Sequence, residues 1–298
     1  MGLFTAVKAN KAYRAQQKGD QEEAIRLYEE AFSEGLNDAK FKLAYALLII
    51  RDGQYEKAKE FLVKNQKMPM SQEQRITMLV DYAACCFRLG DLDKGINVLE
   101  QQFRKAPSGL LYQTLGYLYV EKYDQANRPD FAAMTAEGAE KAETAGEKAG
   151  ESVESVTSAA DEASENTEDT AIAVGEAGDG KAKTPEEAWE DGKAEAEKFL
   201  RDSVDYDEED PVCLDNLGQF IYRVLENPAE ARPWFDKALK LKDTQIDTLY
   251  FLSRYDEADG NRKAALEKLE KALEGRFSPL NYCDRADIER EIARLKGE

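Results

Sequence analysis

The sequence predicts an all-α protein built from repeated helical hairpins. The first observation is a recurring stretch in which a glycine or small polar turn precedes an amphipathic run with a small residue near its start. It occurs at 18–32 as KGDQEEAIRLYEEAF, and again at 52–66, 90–104 and 260–274. The second observation is a fixed step of 34 residues, from Ala24 to Ala58 and from Ala231 to Ala265. A constant period of this length indicates a stack of supersecondary units.

Each unit is predicted to contain two antiparallel helices, A and B, whose backbones approach each other at small residues. The small residues of helix B are Ala24, Ala58, Gly95, Ala196, Ala231 and Ala265. Twelve or thirteen positions before most of them, on helix A, stand Ala12, Ala46, Ala83, Gly218 and Ser253. Large residues follow the helix B positions, as Leu27 and Tyr28 follow Ala24, and we expect these to form the core.

Local signals mark several helix ends. Ser71 and Gln74 have the spacing of a capping box. The run 227–230 offers an N-cap residue, a first-turn proline and an acid at the third position. The last run, 283–298, is predicted to form an amphipathic helix that covers the apolar face of the final unit. Its apolar residues on one side are Ile288, Ile292 and Leu295.

This pattern resembles the tetratricopeptide repeat, a helix-turn-helix unit of 34 residues. The resemblance implies a right-handed α-solenoid of about six hairpins closed by a C-terminal capping helix. The six copies are 5–38, 39–72, 76–109, a split copy 109–123 with 186–210, then 211–244 and 246–279.

The fourth copy is interrupted by an insertion. Gly116 should meet its helix B partner about twelve residues later, but that partner, Ala196, lies 80 positions away. The segment 131–186 holds fourteen acids and four lysines, a charge of −10, and few large apolar residues. It is predicted to be a disordered, solvated spacer because it cannot bury enough apolar area to offset its ordering entropy. A faint resemblance to late-embryogenesis proteins, whose segments become helical at surfaces, is the alternative.

These observations predict the organisation of the chain. Its parts are 1–123 (three repeats and helix A of the fourth), 124–183 (the acidic insertion), 184–280 (helix B of the fourth repeat and two more repeats) and 281–298 (the capping helix).

Composition limits the possible partners. The chain has 298 residues, of which 42% are hydrophobic, and a formal charge of −19. That charge makes binding to nucleic acid or to an anionic membrane surface unfavourable, so neither partner is expected. No run approaches the roughly 20 apolar residues of a membrane span. The start reaches Lys8 too soon to hold a signal-peptide core, so a cytoplasmic location is predicted.

The residue types argue against an enzyme. The sequence has no histidine, which excludes Ser-His-Asp and Cys-His nucleophile systems and HExxH zinc sites. The cysteines have neither metal-ligand spacing nor the density of a disulfide scaffold, and we expect reduced, buried thiols, with a redox role as the alternative. They are Cys85, Cys86, Cys213 and Cys283. The many carboxylates lie beside lysines at helical spacing, which is typical of solvated faces. No catalytic residue, metal or cofactor is therefore predicted, although an enzyme using only carboxylates or cysteines stays open.

The resemblance implies that the A helices line a concave groove, which in this family usually holds a peptide or a partner helix. Apolar side chains stand there beside amide and guanidinium donors, a combination that suits peptide capture. The predicted groove residues are Leu43, Leu47, Val80, Phe87, Arg88, Gln113, Tyr117, Gln219, Tyr222, Arg223, Tyr250 and Arg254. The alternative is that several of them are ordinary packing or solvated residues.

The function predicted is therefore a non-enzymatic scaffold or adaptor that binds a peptide or helix segment of a protein in this groove. An acidic chaperone-like or solubility factor that uses the disordered insertion is the alternative. Chaperone-binding members of the family hold a C-terminal carboxylate with lysine, asparagine and arginine side chains. The matching positions here are Ala9, Tyr13, Ala44, Thr77 and Asp81, so binding of Hsp70 or Hsp90 tails by that clamp is not expected.

Overall fold

The fold is that of a computed structural model, which describes residues 3–131 and 183–297. Within those ranges the chain is helical and has no strand. The helices are α1 (Leu3–Gln17), α2 (Gln21–Ser33), α3 (Ala39–Arg51), α4 (Tyr55–Asn65), α5 (Gln72–Arg88), α6 (Leu92–Lys105), α7 (Gly109–Tyr123), α8 (Pro185–Tyr206), α9 (Pro211–Gln219), α10 (Pro228–Leu241), α11 (Ile246–Ala258), α12 (Arg262–Ala272) and α13 (Arg285–Lys296). A short 3₁₀ helix, Gln125–Asn127, follows α7, and α9 continues as a π-helical turn, Phe220–Val224.

Consecutive helices pair as hairpins, and the A helices of neighbouring hairpins pack against each other. The pairs α1 with α2, α3 with α4, α5 with α6, α9 with α10, and α11 with α12 are all in contact. The A helices α3, α5, α7 and α9 contact one another in sequence, and α13 packs on α12. The predicted fold class, an all-α stack of six hairpins with a C-terminal capping helix, is confirmed.

The small residues lie at the helix crossings, as the sequence pattern predicts. A Cβ atom added to Gly95 would lie 3.1 Å from the carbonyl oxygen of Ala83, its predicted helix A partner. A Cβ added to Gly218 would lie 2.9 Å from the ring of Phe235. Neither position has room for a larger side chain, so the register of the hairpins is set by these contacts.

The interrupted fourth hairpin is formed by α7 and the part of α8 from Glu195 onward. A Cβ added to Gly116 would lie 3.1 Å from the side chain of Leu200. The rings of Tyr112 and Phe199 lie 5.2 Å apart, and Tyr119 meets the same phenylalanine edge-on. These contacts join two helices that are far apart in the sequence.

The chain divides into two compact units, residues 1–127 with 195–298, and residues 128–194. In the described part of the second unit, Thr184 and Glu187 exchange capping hydrogen bonds at the start of α8. Arg128 pairs with Glu186 at 2.7 Å. Residues 132–182, on which the prediction of a disordered insertion mainly rests, lie outside the described residues.

No helix in the described ranges combines the length and the apolar character that crossing a bilayer would require.

Overpacking a crossing provides a direct test of the register. Ala265 is fully buried where α12 meets α11, so Ala265→Leu is expected to lower the free energy of unfolding by about 1–3 kcal/mol. Lys263, whose side chain is 88% exposed, is the matched control, and Lys263→Leu is expected to change it by less than about 0.5 kcal/mol. Urea unfolding measures both. Equal losses at the two positions would show that the register is wrong.

Removal of residues 132–182 tests whether the fourth hairpin is one structural unit. Arg128 and Glu186 are in contact, so a short Gly-Asn linker can bridge the excised segment. Loop-closure entropy changes only as about (3/2)RT ln n, and the α7–α8 contacts remain. We expect one cooperative thermal transition with a midpoint equal to or slightly above that of the intact chain. Two separate transitions by circular dichroism would instead indicate two independent domains.

Candidate functional site

A cavity of about 510 Å³ lies on the face formed by the A helices. We call it the helix A cavity. Its walls come from α3, α5, α7 and α9, from α11 and the turn before it, and from the segment between α12 and α13. The volume lies within the range of about 300–1,000 Å³ that is usual for ligand pockets.

Four of the predicted groove residues meet in this cavity. They are Leu47, Val80, Gln113 and Tyr117. The amide of Gln113 donates a hydrogen bond of 2.6 Å to Asp210, which fixes its orientation. Tyr117 is only 4% exposed and packs edge-on against Phe87, with ring centres 5.7 Å apart. The cavity wall is therefore partly rigid core.

Other predicted groove residues are packed within the protein. Leu43 belongs to the core of the first hairpins, and Gln219 is fully buried and donates to Asp215 at 2.7 Å. Tyr222 packs among aromatic rings, with the ring centre of Phe251 at 5.1 Å. These side chains stabilise the stack and do not line the helix A cavity.

The predicted arginines and Tyr250 all have partners in the same chain. Arg223 donates to Glu121 and Asp124, and Arg254 donates to Glu291. The ring of Tyr250 lies 5.7 Å from that of Tyr282. Arg88 is held by the segment that joins α12 to α13.

That segment, residues 273–284, is called the connection. Nε of Arg88 donates to the carbonyl oxygen of Pro279 at 2.8 Å, a contact between residues 191 positions apart. Leu280 packs against the cluster that contains Leu111 and Leu115. The guanidinium of Arg223 lies 4.1 Å from the ring centre of Tyr282. The connection thus covers part of the helix A face and forms one wall of the cavity.

Asp247 on α11 anchors the connection. Its side chain accepts hydrogen bonds from the amide of Asn281 at 3.0 Å and from the backbone N–H groups of Tyr282 and Cys283 at 3.1 and 3.4 Å. The residue is 3% exposed. A buried carboxylate that accepts several hydrogen bonds can hold an irregular segment in place without a helix or a strand.

Two more buried acids line the cavity, Asp81 on α5 and Asp215 on α9. Asp215 accepts from Thr248 at 2.5 Å and from Gln219. Burial is the main cause that raises the pKa of each of the three carboxyls, to about 7 for Asp81. The positive charge of Arg51 acts in the opposite direction and lowers the pKa of Asp81.

Sequence reasoning missed these acids because it treated carboxylates as parts of solvated faces. A signal was nevertheless present. Each acid stands inside a mainly apolar stretch of an A helix, in MLVDYAACC, CLDNLGQF and IDTLYFL. Neighbouring large apolar residues on both sides indicate a position that faces protein, and an acid there is exceptional.

The cysteine thiols are poor candidates for chemistry. All four are buried. Burial raises the pKa of Cys85 and of Cys213 to about 12, so the reactive thiolate form is suppressed at neutral pH. Among the described residues, no group of acids and cysteines has the arrangement of a metal site.

Comparison with known proteins agrees with this architecture. The family model for the anaphase-promoting complex, cyclosome, subunit 3, matches residues 17–102. The crystal structure of PilW, a type IV pilus biogenesis factor, is similar over 94% of this chain and 98% of its own, with a TM-score of 0.52 and 13% identity.

Two tetratricopeptide-repeat structures are more distant. The protein from Parabacteroides merdae is 12% identical over 100% of both chains, with a TM-score of 0.44. The protein from Thermus thermophilus is 14% identical over 99% of this chain and 100% of its own, also at 0.44. No curated protein matches the sequence.

The stacked hairpins and the helix A cavity define an α-helical repeat protein. The 34-residue period and the small residues at the crossings have the pattern of the tetratricopeptide repeat, and the family model matches residues 17–102.

Proposed function

We propose that the protein is a non-enzymatic interaction module that binds an extended peptide segment of a partner protein on its helix A face. The helix A cavity is the observation that carries this proposal. Its rim includes Leu110, a large apolar side chain that is 40% exposed, beside the polar groups of Gln113 and Asn216. Exposed apolar surface next to oriented polar groups is the usual composition of a peptide site.

The packed state of the other predicted groove residues restricts where the peptide lies. The connection already covers the face near Arg88 and Arg223. Leu47, Val80 and Leu110, on α3, α5 and α7, line the cavity. We therefore place the binding site in the cavity and not along the whole length of the predicted groove.

Leu110→Glu tests this placement. Peptides selected by phage display against the full chain are expected to lose at least tenfold in affinity for the variant, because a carboxylate replaces apolar contact at the rim. Val63 on α4 is a matched control, since it is also apolar and 45% exposed but does not line the cavity. Val63→Glu is expected to leave the affinity unchanged. Fluorescence polarisation measures both affinities. An equal loss of affinity in the two variants would show that the peptide does not bind on the helix A face.

A further inference from the structure

Asp81 has an unsatisfied carboxylate at the wall of the helix A cavity. The residue is 7% exposed, and its Oδ2 has no hydrogen-bond partner. The two other buried acids of the cavity differ in this respect, because both oxygens of Asp215 and both of Asp247 accept hydrogen bonds. A buried acceptor without a partner is costly, and it is the kind of group that a ligand completes.

The cationic side chains of the protein itself do not supply the missing hydrogen bond to Asp81 Oδ2. Arg51 on α3 acts on Asp81 through its charge but gives no hydrogen bond to Oδ2. Lys242 and Arg276 also line the cavity, together with the acid Glu274. Counting Asp81, Asp215, Asp247 and Glu274 against Lys242 and Arg276, the lining carries more acidic than basic groups.

Part of the remaining lining is apolar. Leu47, Ile50, Val80 and Leu110 line the same cavity as Asp81. Lysine and arginine combine an aliphatic stem with a cationic tip, so they can pack methylene groups on such walls while the tip reaches an acid. A purely apolar side chain would fill the same walls and leave the carboxylate unpaired.

We propose that the helix A cavity receives a lysine or arginine side chain of the bound peptide, with Asp81 as its counterion. This rests on the proposed peptide-binding function and adds the chemistry of the residue that is recognised. The net charge of −19 favours the approach of a basic segment. A charge-assisted hydrogen bond then satisfies Oδ2 of a residue that is only 7% exposed.

The titration of Asp81 adds a second property. Burial raises its pKa to about 7, and the positive charge of Arg51 acts against this shift. A bound cation stabilises the ionised form, so binding is expected to strengthen as the pH rises through about 7. A neutral ligand has no such dependence at this site.

Fluorescent heptapeptide pools with a fixed central residue and random flanks test the proposal on the full chain. The pools differ only in the central residue, which is lysine, arginine or norleucine. We expect the lysine and arginine pools to bind at least tenfold more tightly than the norleucine pool at pH 8, and Asp81→Asn to remove that difference. Glu73→Gln, an exposed acid of the same helix, is the matched control.

The outcomes separate this proposal from the proposed function. If the norleucine pool binds as tightly as the others, peptide binding stands and the basic-residue site is overturned. If no pool binds, both are overturned. Asp81→Asn loses no hydrogen bond at Oδ2, so it is expected to fold, as its circular dichroism spectrum will show.

A measurement on the unaltered chain tests the proposal without the Asp81→Asn variant. The ¹³C resonance of the Asp81 carboxyl is followed against pH with and without N-acetyl-lysine methylamide. The titration midpoint is expected to fall when this probe is present and to stay in place with N-acetyl-norleucine methylamide. Equal midpoints with the two probes would overturn the assignment.

Discussion

Replacement of Arg223 with methionine is expected to lower the free energy of unfolding by about 3–5 kcal/mol. The Arg223 side chain is 7% exposed and pairs with Glu121 at 2.8 Å and Asp124 at 2.7 Å, whose side chains are also largely buried. Methionine preserves most of the apolar stem but leaves two buried carboxylates without a cation. The cost arises from those carboxylates, since breaking one side of a buried ion pair leaves an uncompensated charge.

The control is an arginine in an exposed network. Arg201 on α8 pairs with Glu197 and Glu230, and all three side chains are 30–46% exposed. Arg201→Met is expected to change stability by no more than about 1 kcal/mol. Adding Glu121→Gln and Asp124→Asn to Arg223→Met is expected to recover part of the loss. If Arg201→Met and Arg223→Met destabilise equally in urea unfolding, the buried network has no special role.

The free energy of unfolding is expected to fall as the pH rises from about 5 to about 8. Burial raises the pKa of Asp81, Asp215 and Asp247 in the folded chain, so each binds its proton more tightly there than when unfolded. The stability that this provides is complete below the unfolded pKa near 4 and is lost as the pH passes the folded pKa. One such group contributes a slope of up to about 1.4 kcal/mol per pH unit.

Other acids act at lower pH and do not obscure this effect. The hydrogen bond and the charge of Lys271 lower the pKa of Asp243. The stability that Asp243 contributes is therefore lost only as the pH falls below the usual range of a carboxyl pKa. Urea unfolding at pH 5, 6, 7 and 8 is the measurement. Asp81→Asn is expected to reduce the slope of the free energy of unfolding against pH and to raise stability at pH 8. Asp243→Asn is expected to leave that slope unchanged. A slope that is the same in both variants would contradict the assignment to Asp81.

The hairpins could be predicted because their causes repeat along the sequence. Each crossing needs a small residue, so Gly95 and Gly218 mark positions where the partner helix leaves no space. The capping box of Ser71 and Gln74 forms as its spacing predicts. Even the interrupted hairpin follows from this pattern, since the helix that carries Gly116 needs a partner and α8 supplies Leu200.

The candidate site was less predictable because the contacts that form it occur once and do not repeat along the sequence. Helical periodicity assigns a residue to a face but does not say what packs on that face. Arg88 and Tyr250 lie on A helices, yet the connection contacts both. The connection has no periodic pattern, and its contacts depend on single residues such as Asp247. The π-helical turn that carries Arg223 likewise has no counterpart among the other described helices.

The connection also has a consequence for how the chain acquires its structure during synthesis. A stack of repeats normally needs only neighbouring units, so each hairpin can mature as soon as the next has been made. Here the acceptors of Arg88 are the carbonyl groups of Pro279 and Asn281, 191 and 193 residues later. At about 5–20 residues per second, the ribosome takes roughly 10–40 s to reach them. During that interval the helix A face of the third hairpin is uncovered, and it receives its cover only when the end of the last repeat emerges.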